Sequence, residues 1–217
     1  MTVDLRVVDE PARVAGELLA EVTGGHIALS GGGTAGGAYG VTARLQPRWR
    51  GVHVWFGDDR AVPPHDERSN YRLVRETLLD ALGSPPEVHR IRGERPAEDA
   101  AALYDAELEG ITLDLALNGI GADGHTASLF PGAPGLDERE RRAVAAEAGL
   151  EPFVPRVTLT PPVFAECRVL VYLATGEEKA DAVRRAFAAE PSATTPASLV
   201  RGRETVVLLD AAAASAL

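Results

Sequence analysis

Short apolar runs alternate with longer amphipathic stretches along this chain, and a strand–helix alternation of that kind has few folded solutions. The runs His26–Ser30, Val52–Phe56, Leu113–Asn118, Arg168–Ala174 and Thr205–Asp210 are predicted strands, with the first strand starting near His26. Between them, Val14, Leu18 and Val22 recur at helical spacing after Pro11, which suits a first helical turn. Ser69 can cap a helix reaching about Leu82, with Tyr71, Val74, Leu78 and Leu82 on one face. Pro96–Gly110 and Glu177–Glu190 read as further helices, and the Ala-rich end is compatible with another. The expectation is an α/β fold: a mostly parallel, doubly wound, Rossmann-like sheet with helices on both faces, in one domain covering residues 1–217. Ala133–Pro155 is the least regular segment and reads as a surface excursion.

Composition narrows the function classes. A mass of 22.9 kDa predicts about 9,600 Å² of folded surface, enough burial for a full core without staples. Cys167 is the only cysteine, which excludes an intramolecular disulfide and a Cys-rich zinc site. No basic segment followed by an apolar run marks the start, and no stretch approaches the roughly 18 apolar residues of a membrane span. The cytoplasm is the simplest location. A net charge of -10 opposes nonspecific nucleic-acid binding. A small anionic ligand then needs a local cluster of donors against the global field. Of the 22 basic residues, Lys179 is the only lysine.

Three unusual loops follow predicted strands, where ligands bind in such sheets. The first, Ser30-Gly31-Gly32-Gly33-Thr34, is followed by Gly36 and Gly37; its glycines let backbone amides approach an anion, and Thr34 adds a hydroxyl. The second holds Asp58, Asp59 and Arg60, where the carboxylates can bind sugar hydroxyls and Arg60 can meet a phosphate or carboxylate; it also holds His65, expected at the surface. The third, Gly119–Gly132, places His125 among glycines with Asp123 two residues earlier. A neutral imidazole there can take a proton from water, with Asp123 orienting the ring. Lys179 falls in the first turn of a predicted helix, where a cation opposes the dipole unless an anion binds. One cysteine and scattered histidines give no recognisable metal-ligand set.

Together these residues resemble the glucosamine-6-phosphate isomerase/6-phosphogluconolactonase family. The resemblance runs in order through Leu29–Thr34, Asp58–Tyr71, Asp123–Gly132, the strand Arg156–Thr160 and the turn Gly176–Lys179. It implies hydrolysis of a 6-phosphorylated gluconolactone in the pentose phosphate pathway, without a cofactor. By the same resemblance His125 activates water, Asp58 and Arg60 line the site, and Arg156, Lys179 and the Gly31–Thr34 amides receive the phosphate. Gly33, Ala35, Asp59 and Asn118 depart from the family's usual residues, and the chain is short for it.

Four other readings are open. The deaminase/isomerase branch carries a Glu five residues after the loop histidine, where this chain has Phe130. Gly31-x-Gly33-x-x-Gly36 with Asp58 matches a dinucleotide fingerprint. Ala28-x-Ser30-x-Gly32 is one residue short of a nucleophile elbow. A sugar-phosphate-sensing module without catalysis is the fourth.

Overall fold

The structure, a computed structural model, describes residues 2–45, 48–149 and 151–217. Its strands are β1 (Thr2–Val7), β2 (Gly25–Leu29), β3 (Val52–Phe56), β4 (Asp58–Arg60), β5 (Glu87–Val88), β6 (Leu115–Gly119), β7 (Ala143–Ala146), β8 (Arg156–Leu159), β9 (Val169–Ala174) and β10 (Glu204–Leu209). The helices are α1 (Pro11–Ala20), α2 (Gly33–Leu45), α3 (Asn70–Thr77), α4 (Ala97–Glu107), α5 (Pro161–Glu166), α6 (Ala180–Phe187) and α7 (Pro196–Leu199).

Seven strands form one sheet in the order β1-β10-β9-β6-β2-β3-β5, and every pairing in it is parallel. The chain runs outward from β2 through β3 to β5, then returns to β6 and proceeds the opposite way to β9 and β10. Right-handed crossovers in opposite directions put helices on opposite faces. The switch of direction lies between β2 and β6, where a crevice opens beyond the carboxyl ends of the strands. The central runs are apolar because both faces are covered: Val54, Phe56, Ala116, Leu117, Leu170 and Val171 are almost wholly buried. Cys167 is buried and free, and burial pushes its thiol up to about 12. The accessible surface of 9524 Å² is close to the expectation from mass.

Several expectations need correction. The first strand is β1, not the run near His26; all six of its residues are exposed at the sheet's edge, so it carries no buried apolar run. Ala133–Pro155 is not merely an excursion. Its Ala143–Ala146 segment is β7, which joins β8 and β4 in a separate antiparallel sheet; Leu150 lies outside the described residues. The Ala-rich end forms turns rather than an α-helix. The helix after β9 begins as a 3-10 turn, Glu177–Lys179, so Lys179 is the N-cap of α6. The helix expected up to Leu82 ends at Thr77, with a 3-10 turn over Leu79–Ala81. No described helix is long and apolar enough to cross a membrane.

Candidate active site

The loops after β2, β6 and β9 meet at the switch point around a cleft of about 350 Å³. Strands β4 and β8 of the small sheet close its remaining side, bringing Asp58, Arg60 and Arg156 to face them. Of the site residues expected from sequence, Ser30, Gly31, Gly32, Gly33, Thr34, Asp58, Arg60, His125, Arg156 and Lys179 all line this cleft. Asp123 lies behind His125.

His125 and Asp123 are directly paired. His125 Nδ1 stands 2.6 Å from Asp123 Oδ1, and the His125 amide donates to the same oxygen at 3.1 Å. A carboxylate only accepts, so in the neutral imidazole Nδ1 carries the proton and Nε2 the lone pair. Burial raises the Asp123 carboxyl, but the His125 amide and ring outweigh that and hold it below its usual range. Gly121 is required by the ring: a Cβ there would stand 2.0 Å from His125 Nδ1. Arg185 of α6 braces the loop from outside, donating to the Ala122 carbonyl (3.1 Å) and to Thr195 Oγ1 (2.6 Å). Thr126 Oγ1 ties the other end by donating to the Gly119 carbonyl at 3.0 Å while accepting from Asn118 Nδ2 at 3.1 Å. Next to it, Ala127 adopts φ 50°, a left-handed conformation that costs an L-residue energy and occurs at this cleft wall.

The anion side has two parts. The first is the β2 loop and the amino terminus of α2, a 13-residue helix. Tyr39 fixes this loop: its hydroxyl donates to the Ser30 carbonyl (2.6 Å) and accepts from the Ser30 amide (3.0 Å). Thr34 Oγ1 lies 3.2 Å from Thr175 Oγ1, joining the glycine loop to the turn that carries Lys179. Lys179 forms no ion pair among the described residues.

The second part is the arginine pair. Arg60 and Arg156 are directly opposed across β4 and β8, a like-charge pairing that is unfavourable by itself. Burial holds the Arg156 guanidinium below its usual range; Asp58 opposes that shift and Arg60 adds to it. Asp58 is the buried counter-charge, accepting from Ser128 Oγ (2.5 Å) and Asn70 Nδ2 (3.0 Å). Arg60 Nη1 is anchored to the Arg68 carbonyl (2.6 Å) and Asn70 Oδ1 (2.9 Å), while its buried Nε has no protein partner.

Asn70 is the residue that sequence reasoning passed over. It holds Asp58 and Arg60 at once, and its only sequence signal was its place in Ser69-Asn70-Tyr71 at a helix start. Asn70 also explains Gly31, whose Cβ would fall 2.0 Å from Asn70 Oδ1. Asp59, next to Asp58, has a different task. Its carboxylate accepts from the amides of Arg60, Asn70 and Tyr71 and from Ser69 Oγ, anchoring the start of α3. Burial pushes it up to about 6 despite those donors.

Phe130 packs against the His125 ring at 4.8 Å between centroids, and the Arg156 guanidinium lies 5.4 Å from its centroid. It stands between the imidazole and the guanidinium and packs against both. Phe130→Leu should therefore lose the ring–cation attraction, about 0.5–1 kcal/mol. The expected loss in kcat/KM is roughly 2–5-fold, read by steady-state kinetics.

One alternative fails on this geometry. Ser30 Oγ has no hydrogen-bond partner among the described residues, so no base activates it as a nucleophile.

Fold and site together define a class: a doubly wound α/β protein with a hydrogen-bonded Asp–His pair facing a nest of loop glycines and cations in a cleft at the switch point. Residues 4–208 match the family model described as glucosamine-6-phosphate isomerases/6-phosphogluconolactonase, and the chain belongs to that family. A 6-phosphogluconolactonase of Streptomyces coelicolor is 34% identical over 98% of this chain and 86% of its own length. One from Haemophilus influenzae is 36% identical over 73% of this chain and 72% of its own. Among solved structures, the 6-phosphogluconolactonase of Thermotoga maritima superposes with a TM-score of 0.85 at 27% identity, covering 96% of this chain and 100% of that one. A monomeric glucosamine-6-phosphate deaminase reaches a TM-score of 0.88 at 21% identity, which is a likeness of fold alone.

Proposed function

We propose that this chain hydrolyses 6-phospho-D-glucono-1,5-lactone to 6-phosphogluconate, the step of the pentose phosphate pathway its curated relatives are named for. The observation that carries the reading is the His125–Asp123 pair set across the cleft from the amide and cation nest. The phosphate sits at Gly31–Thr34, Lys179 and Arg156. The helix dipole and amides of α2 favour it there, and it relieves the opposed arginines. A water between His125 Nε2 and the lactone carbonyl gives up its proton to Nε2 as its oxygen attacks C1. Asp123 accepts from Nδ1 and steadies the imidazolium that forms. Collapse of the tetrahedral intermediate breaks the bond from C1 to the ring oxygen, and His125 returns the proton to that oxygen as it leaves.

The developing oxyanion needs a donor. The amides of Gly121 and Gly124 are already spent on the His125 and Gly121 carbonyls, which leaves the Ala122 and Asp123 amides and the Arg60 guanidinium as the candidate donors. Asp58 acts through its neighbours, holding Arg60 and Arg156 charged and in place. The deaminase reading lacks its acid, because Phe130 occupies that position and packs on the catalytic ring. A non-catalytic module has no use for a histidine whose tautomer is fixed with Nε2 free. The proposed partners are small sugar phosphates in the cytoplasm; the acidic chain has no role for nucleic acid.

Acid release from freshly made 6-phosphogluconolactone, measured against spontaneous hydrolysis, tests the reading. An initial rate no faster than the uncatalysed one overturns it. Among the described residues, no three ligand-type side chains gather in the cleft. Activity should therefore survive exhaustive chelation unchanged; abolition by EDTA with recovery on adding zinc would mean a metal-activated water.

A further inference from the structure

At the opposite end of the central sheet, where the parallel strands begin, three of the five histidines of the chain gather. His26 on β2 and His53 on β3 are register partners, and His53 in turn is the partner of Glu87 on β5. His89 follows Glu87 by two residues, so it emerges on the same face of the strand. Its amide donates to the Val54 carbonyl at 2.8 Å, which fixes it beside β3. The rings are stacked in a column. His26 lies 4.6 Å from His53 and His53 lies 5.4 Å from His89. Trp55 lies flat on His89 at 4.0 Å and 6°. Trp55 Nε1 also donates to His26 Nδ1 at 3.0 Å, so one tryptophan positions two of the three imidazoles.

This packing aims three ligand atoms at one point. His53 Nδ1 and His89 Nε2 are 3.1 Å apart. The Glu87 carboxylate closes the triangle, with Oε2 3.5 Å from His53 Nδ1 and Oε1 3.6 Å from His89 Nε2. Bonds of about 2.0–2.1 Å in a tetrahedral zinc site set neighbouring ligand atoms about 3.3 Å apart. Each imidazole thus has a neighbouring ligand atom near that separation, and with a single Glu87 oxygen taken the three ligand atoms all lie within 4.8 Å of one another. Glu87 is well exposed, so a fourth position faces solvent.

We propose that His53 Nδ1, His89 Nε2 and one Glu87 carboxylate oxygen form a binding site for a single divalent transition metal of the zinc class, with a solvent molecule as fourth ligand. Imidazole nitrogen and carboxylate oxygen suit zinc, nickel and copper rather than magnesium or calcium. The site is remote from the cleft, which lies beyond the other ends of the strands. It clamps β5, a two-residue edge strand, to its one neighbour β3. A metal there acts on stability and leaves the lactone chemistry alone.

The test takes the full chain, stripped with chelator, and titrates it with zinc by calorimetry and with cobalt by visible absorption. Wild-type protein should bind one zinc per chain, show the intense absorption of tetrahedral cobalt, and gain thermal stability with metal while turnover stays unchanged. Glu87→Gln is exposed and should fold normally; it and His89→Gln should each weaken zinc by at least tenfold, since even outer-shell partners are worth about 10–100-fold in metal affinity. His125→Ala should bind zinc like wild type. No stoichiometric binding by wild type, affinity within tenfold of wild type in either ligand variant, or loss of binding in His125→Ala would each overturn the assignment.

Discussion

Replacing His125 with alanine should lower turnover of the phosphorylated lactone by about 10²–10⁴-fold, the usual worth of a positioned general base, with little change in KM. The ring carries that weight because the fold leaves it one useful state. Asp123 takes Nδ1–H, Gly121 leaves room for that edge, and Phe130 packs against the ring. Only Nε2 remains for water. The phosphate contacts sit on other loops, so binding should survive. A control on thermal stability is needed, since four-fifths of the side chain is buried and its removal leaves Asp123 without its ring partner. The same assignment sets the sign of the pH dependence. Protonated imidazole cannot accept a proton, so activity should be full on the alkaline side and fall as acid loads the ring. Asp123 is held below the usual carboxylate range, so its own ionisation does not set that fall. A variant with near wild-type turnover, or an acid limb that persists unchanged in His125→Ala, would remove His125 from the mechanism.

The parts of this molecule legible in the sequence are those whose residues act locally. The run Val52–Phe56 is β3 to the residue, because a strand covered on both faces is mostly apolar, and only His53 interrupts the run. Ser69 caps α3 as its type and position suggest, accepting from the Arg72 amide at 3.3 Å. Asp123 and His125 are two residues apart, so their pairing could be read directly. What escaped is long-range. The exposed edge strand β1 gains its order from β10, some 200 residues away, and offers no buried pattern. The antiparallel sheet joins β8, a strand already implied by the family resemblance, to two segments that look like loops, β4 and β7, and it delivers Asp58, Arg60 and Arg156 to the cleft. Arg60 and Arg156 were both visible as cations; their opposition across two strands was not. Asn70 escaped because amide side chains carry no charge signal, although this one holds both Asp58 and Arg60. The cluster of His53, Glu87 and His89 could not be read from spacing, because β3 and β5 bring it together only on folding.

Lys179→Ala should reduce kcat/KM for the phosphorylated lactone by about 10–150-fold, the equivalent of the 1.5–3 kcal/mol typical of a charge-assisted hydrogen bond. The only lysine of the chain stands as the N-cap of α6, where its charge opposes the helix dipole. Glu178 beside it also lines the cleft, yet the two form no ion pair among the described residues, so the ammonium is left for a ligand. A phosphate between Lys179 and the Gly31–Thr34 amides removes the dipole penalty and uses the amino terminus of α2 at the same time. The link from Thr34 to Thr175 keeps the two halves of this nest at a fixed separation. The net charge of -10 makes the cluster more necessary, because the global field repels the substrate. Unphosphorylated gluconolactone is the internal control. Both proteins should hydrolyse it poorly, and the substitution should hardly alter that rate, since the group Lys179 reads is absent. Because Lys179 contributes nothing to the core, thermal stability should also stay put. Raising ionic strength should shrink the difference between wild type and variant on the phosphorylated substrate, as screening weakens the contact that was lost. Equal losses on both lactones at unchanged thermal stability would show that Lys179 serves the reacting centre rather than the phosphate, and the orientation of the substrate in the cleft would then have to be reversed.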